Sequence, residues 1–141
     1  MSDTHCFYKM TLVDFYFWQE ITVIFRNWGR HYRTDNVDGE WPVSYHGTDE
    51  MAALNIAAQG FDLNKGRRFK FGRGIYSTPD PMIAEKYATI YKFKGKNYKV
   101  LLQNRVNMAE TEFIPEMNYF VTKNEDNIRP YGLLFKEIKE I

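Results

Sequence analysis

Cysteine is almost missing from this chain: Cys6 is the only one in 141 residues. A single thiol cannot close an internal disulfide, and a zinc site built on paired cysteines is excluded with it. Histidine is scarce too, with three copies. His5 and His31 have no ligand spacing around them, so no metal is expected. Neither sign of charge dominates, since the formal net charge is +1; no global field points to nucleic acid, membrane or acidic partners. A long hydrophobic run is also lacking. The most apolar early stretch, 12–25, is interrupted by Asp14, Gln19 and Glu20 and is too short to span a bilayer. Residues 1–10 are polar and lack the apolar core of a secretory signal. The expectation is a soluble, intracellular protein with no membrane contact.

What the chain does have is aromatic residues, 17% of the total and mostly Tyr and Phe. That composition favours strands and a packed core over disorder, and the length suits one compact domain. Segment 12–28 places Leu12, Phe15, Trp18, Thr22 and Phe25 at roughly helical spacing, which predicts a helix, although Thr22, Val23, Ile24 and Phe25 individually favour strand. Residues 43–45 read as a strand ending at His46. A helix should follow, with Thr48 as N-cap, Asp49 and Glu50 in its first turn, Met51, Leu54 and Ala58 on its apolar face, and Gly60 as its stop. Residues 61–72 form a loop rich in Lys, Arg and Gly. Residues 74–77 make a strand, and Asp80-Pro81 opens a second helix carrying Ile83 and Tyr87 on one stripe. After Gly95 everything reads as sheet: 98–106, 119–121 and 132–138, the last entered through Arg129-Pro130-Tyr131. Tyr91-Lys92-Phe93-Lys94 fits an exposed strand or turn. This order specifies an α+β domain with a mostly antiparallel sheet.

Two positions stand out against this background: His46 in Tyr45-His46-Gly47-Thr48, and Tyr76 in Gly74-Ile75-Tyr76-Ser77. Each lies at the edge of an expected strand and precedes a helix with clear start signals. Held on neighbouring strands, a histidine and a tyrosine can grip a flat aromatic amide and its ribose. Either residue alone is more often structural, but the ordered set is specific: strand-His-Gly-Thr-helix-Gly-Phe, then Phe-Gly-x-Gly-Ile-Tyr-Ser, then Ala-x-x-Tyr. In that set the chain resembles the PARP-like, diphtheria-toxin-type ADP-ribosyltransferase catalytic domain, whose signature is His, Tyr and usually Glu on three strands. The likeness runs over residues 41–141 and leaves 1–40 as a helical and loop extension. Residues 128–134, Ile-Arg-Pro-Tyr-Gly-Leu-Leu, are similar to the family's last strand and its approach.

The resemblance implies an ADP-ribosyltransferase-like fold, with split sheets, flanking helices and a cleft for NAD+ as co-substrate. It makes His46 and Tyr76 catalytic residues. His46, Gly47, Thr48, Arg68, Tyr76, Ser77 and Tyr87 become the NAD+-binding set. Within it, Tyr76 and Tyr87 stack on the nicotinamide, the backbone of Gly47 and the hydroxyl of Ser77 meet the carboxamide, and His46 meets a ribose hydroxyl. Residues 61–72 would be the donor loop. The cations in and around it, Lys65, Arg67, Arg68, Lys70 and Arg73, either neutralise the pyrophosphate, hold a phosphate-bearing acceptor, or only solvate the loop.

The chain departs from the pattern at the third motif, where the family's Glu position falls at or near Asn118. Glu116 lies two residues earlier as a surrogate carboxylate, or as a plain solvated charge, and Glu110 and Glu112 precede it. Loss of the Glu disfavours chain elongation. The resemblance therefore implies single ADP-ribose transfer to a protein or nucleic-acid acceptor, or a silent module that binds NAD+, ADP-ribose or a protein partner. A relative of the tRNA 2′-phosphotransferases ranks last, because that chemistry uses additional histidines.

Overall fold

The computed structural model describes residues 6–10, 21–25, 38–66 and 69–139. The first surprise lies in 12–28. Thr22, Val23 and Ile24 sit within a strand, not a helix: β2 (Ile21–Phe25) pairs antiparallel with β1 (Cys6–Met10) on one side. The β-branched preference has overridden the helical spacing, because the segment finds an open sheet edge to complete. The rest of the expected helix lies outside the described residues. On its other side β2 pairs with β9 (Ile128–Ile138), so this early segment belongs to the same sheet as the C-terminal strand.

That sheet is six-stranded, in the order β1-β2-β9-β6-β3, where β3 is Val43–Gly47 and β6 is Lys96–Val106; the short β5 (Tyr91–Phe93) pairs with β6 off this path. A second sheet of three strands runs β4-β8-β7, with β4 at Ile75–Ser77, β7 at Thr111–Ile114 and β8 at Tyr119–Thr122. Every pairing between these strands is antiparallel. The α+β class therefore holds, with the sheet split in two.

The final strand begins earlier than its sequence suggests. Arg129-Pro130-Tyr131 lies within β9 and is not an approach to it. Proline is tolerated there because, among the described residues, β9 pairs with β2 only over residues 132–136 and Pro130 pairs with β6 alone. The register slips at the same place: Gln103 faces Gly132 and Asn104 faces Pro130, which leaves Tyr131 as an extra residue.

Helix α1 (Glu50–Gln59) packs on the large sheet by a face other than the expected one. Ala53 and Ala57 are the buried pair, and Ile56 packs beside them against Val100, Leu102, Val106 and Leu133. Met51, Leu54 and Ala58 point outward. Small side chains let the helix approach the sheet closely, and that closeness decided the face. The N-cap is Asp49, whose Oδ1 accepts from the Ala52 amide at 2.8 Å, and not Thr48. Gly60 ends the helix as expected, at φ +86.

Helix α2 (Pro81–Glu85) starts with Asp80 as N-cap and Pro81 in its first turn, as read from the sequence, but lasts only five residues. It lies on the opposite face of the large sheet and is tied there by Glu85, whose carboxylate meets Lys136 at 3.0 Å and Lys99 at 3.6 Å. Among the described residues no helix is long and apolar enough to cross a membrane.

Candidate functional site

The two sheets meet at a backbone bridge. Tyr45 at the heart of β3 exchanges hydrogen bonds with Thr78 just beyond β4: its amide donates to the Thr78 carbonyl at 2.7 Å and its carbonyl accepts from the Thr78 amide at 2.9 Å. His46 follows Tyr45 directly, and Tyr76 comes two residues before Thr78. The bridge therefore brings the two motif residues together, and His46 Nδ1 lies 2.6 Å from the Tyr76 carbonyl oxygen.

That contact fixes the histidine's chemistry. A carbonyl oxygen can only accept, so Nδ1 carries the proton and Nε2 keeps its lone pair. The ring of Phe61 stands edge-on to the imidazole, with centroids 5.2 Å apart. Burial lowers the His46 pKa and outweighs the opposing pull of the Tyr76 carbonyl. The imidazole is thus neutral, with Nε2 as an acceptor that has no partner among the described residues.

A pH dependence of stability follows. The unfolded histidine titrates near about 6.5, and the folded one below that. Between the two values the unfolded chain binds more protons, so this contribution to stability is complete above the unfolded pKa. It is lost as pH falls from there through the folded pKa. Urea unfolding of the wild type should weaken across that interval. His46→Gln should flatten the trend, and an equally steep trend in that variant would assign it to other groups.

Two clefts open from this junction, and His46 and Tyr76 line both. The smaller, about 330 Å³, is walled by Tyr45, Gly47, Phe71, Tyr87, Met117 and Tyr119, among others. The larger, about 690 Å³, runs along α1 and the loop after it, past Thr48, Asn55, Gln59, Asp62, Lys65 and Glu125. Glu125 shapes that wall: its Oε2 accepts from the Leu63 amide at 3.0 Å and holds the 3₁₀ turn at Leu63–Lys65.

Tyr76 has a second task. Its hydroxyl donates to the Gly72 carbonyl and accepts from the Phe71 amide, both at 2.7 Å, and so pins the end of the basic loop while its ring walls the clefts. Tyr76→Phe would orphan both backbone groups, at a cost of about 1–3 kcal/mol where they are shielded from water. Hydrogen exchange at the Phe71 amide should then accelerate by about tenfold or more. Unchanged protection would mean that the loop holds itself.

Packing alone requires a glycine at position 47. A Cβ here would lie 1.9 Å from the Ala84 carbonyl oxygen and 3.1 Å from the Ala88 nitrogen. The missing side chain makes room for α2, which seats the turn bearing Tyr87. Gly47→Ala should destabilise the fold by about 1–3 kcal/mol through overpacking, read as a lower urea midpoint; an unshifted midpoint would show that α2 can retreat freely.

The other sequence-predicted residues divide. Tyr87 lines the smaller cleft, but from the turn after α2. Ser77 lines it too, yet its hydroxyl oxygen is shut off from solvent and has no partner among the described residues. Thr48 lines the larger cleft. Arg67 and Arg68 lie outside the described residues. Of the remaining loop cations, Lys65 lines the larger cleft, Lys70 lines the smaller one above the Phe71 ring, and Arg73 bonds Asn64 at 3.1 Å. Glu116 and Asn118 sit in the turn between β7 and β8 and line neither cleft. Asn118 has φ +57, and its carbonyl accepts from Thr78 Oγ1 at 2.7 Å.

Tyr119 is the residue the sequence reading missed. Tyr76 faces Val121 across the β4–β8 pair, and in a strand every second side chain shares a face. Tyr119 therefore stands on Tyr76's side of the small sheet. Its ring meets Phe71, Tyr76 and Tyr87 edge-on at 6.2, 6.3 and 6.2 Å, and its hydroxyl is hydrogen-bonded to that of Tyr87. Burial first, then that bond, pushes the Tyr119 phenol up to about 12. The period of two in 119–122 was the signal available: it selects Tyr119, not its neighbour Asn118, for the cleft.

Neither models of known protein families nor curated proteins give a match to this chain.

Proposed function

We propose that the chain is a PARP-like mono-ADP-ribosyltransferase, which takes ADP-ribose from NAD+, releases nicotinamide, and passes one ADP-ribose unit to a protein or nucleic-acid acceptor. The observation that carries this reading is the meeting of two unlike clefts at His46 and Tyr76. NAD+ divides in the same way, into a flat cationic ring at one end and adenosine at the other, with the pyrophosphate between. The smaller cleft offers Tyr76, Tyr87 and Tyr119 to the ring, and aromatic faces attract a cation. The larger cleft offers polar groups and Lys65 to the nucleotide half.

His46 is suited to orient a ribose. Its Nδ1 is engaged, the imidazole is neutral, and Nε2 is left to accept from a ribose hydroxyl without having to lose a proton. Bound NAD+ supplies the glycosidic bond to be broken, and positive charge builds on the ribose as it breaks. Tyr119 then takes the place that the family gives to Glu. As a neutral phenol it can position a hydroxyl but brings no charge to stabilise that change. Transfer should accordingly be slow and stop at single units.

A silent NAD+-binding module is the second reading. It is favoured by one observation: among the described residues that line the smaller cleft, none is Asp or Glu. Incubation with adenine-labelled NAD+ and a cell lysate, followed by protease or nuclease, separates the two. Label that becomes covalently attached supports transfer and identifies the acceptor class. NAD+ that binds but is recovered intact supports the silent module. Absence of both binding and labelling contradicts each.

A further inference from the structure

Among the described residues, strand β7 is the outer member of the small sheet, bonded to β8 on one side only. Such an edge carries backbone N–H and C=O groups ready to pair with another extended chain. Its side chains say which kind. Glu110, Glu112 and Glu116 are exposed along this hairpin, and among the described residues none of them is ion-paired. No lysine or arginine occurs anywhere in 107–122. Phe113, 45% exposed, adds an apolar foothold beside Phe120. The same hairpin then turns and delivers Met117 and Tyr119 to the wall of the smaller cleft.

We infer that the free edge of β7 docks an extended, basic peptide segment by adding it to the sheet as a further strand. The sign of the charge excludes the alternatives. A nucleic acid or an anionic lipid surface would meet three carboxylates, and a second copy of β7 would set like charges opposite one another. A lysine-rich strand meets opposite charge, satisfies the open backbone groups, and packs an apolar side chain on Phe113. Docking does not depend on the transferase reading. Its consequence does: a strand seated on β7 runs towards the cleft through 117–119, which makes its bearer the acceptor protein.

The test uses a fluorescently labelled peptide of alternating lysine and valine, measured by anisotropy against the whole chain at low salt and without NAD+. Binding is expected, weakened by added salt and by at least about tenfold in Glu112→Lys. A peptide of the same charge with proline at alternate positions should bind at least about tenfold less tightly, since it cannot complete a ladder. Circular dichroism of Glu112→Lys checks the fold, and Glu112→Gln supplies a milder second variant that should weaken binding less. The inference is overturned if the alternating peptide does not bind, if the proline peptide binds as well, or if Glu112→Lys leaves affinity unchanged. Because NAD+ is absent, a failure here leaves the transferase reading standing, and a failure of NAD+ cleavage leaves the docking result standing.

Discussion

His46→Ala should reduce NAD+ cleavage by at least about a hundredfold, near 2.7 kcal/mol of transition-state stabilisation. The substitution removes Nε2, the acceptor that lies at the junction of both clefts, together with the Nδ1 bond to Tyr76 that orients it. The side chain is half-buried at a cleft wall, not in the core cluster, so the fold should survive. Nicotinamide release, measured beside circular dichroism, separates the two roles. Loss of turnover with an intact spectrum is the expected outcome. Wild-type turnover would make His46 a structural residue.

The second large effect concerns the third strand. Tyr119→Glu should raise NAD+ hydrolysis by about tenfold to a hundredfold, because it places a carboxylate on the cleft face of β8 where positive charge develops. Asn118→Glu should do little. Asn118 occupies the turn at φ +57, lines neither cleft, and is fixed through its carbonyl by Thr78. Glu116→Gln should be close to neutral for the same reason of place. Tyr119→Phe keeps the ring but loses the hydroxyl that bonds Tyr87, and should lower turnover while retaining most NAD+ affinity. If Asn118→Glu accelerates hydrolysis and Tyr119→Glu does not, the third position belongs to Asn118 and the pleat argument fails.

That disagreement over one residue shows how far the sequence could be read. Turn and cap chemistry is local, so Gly60, Asp80 and Pro81 were legible, and so were the two motif strands β3 and β4. Which face of α1 turns inward is a packing decision. Ala53 and Ala57 won it over Met51 and Leu54 because they let helix and sheet close together. Strand β2 was hidden because its helical spacing was real, while the partner that made it a strand, β9, lies more than a hundred residues away. The short strands β5 and β7 are fixed by their hairpin partners more than by their own composition. At the site, motif order brought His46, Tyr76 and Tyr87 to one cleft. Tyr119 is hidden from motif spacing, which runs along the chain, because the cleft selects by the alternation of a strand.

Nicotinamide release from NAD+ labelled in the nicotinamide ring, followed over hours with the purified chain beside His46→Ala and Tyr76→Ala, tests the central claim most directly. The account predicts slow release by the wild type, at least about a hundredfold less in either variant, and products carrying single ADP-ribose units. Release at the same rate from all three proteins would contradict it, as would long ADP-ribose chains from the wild type.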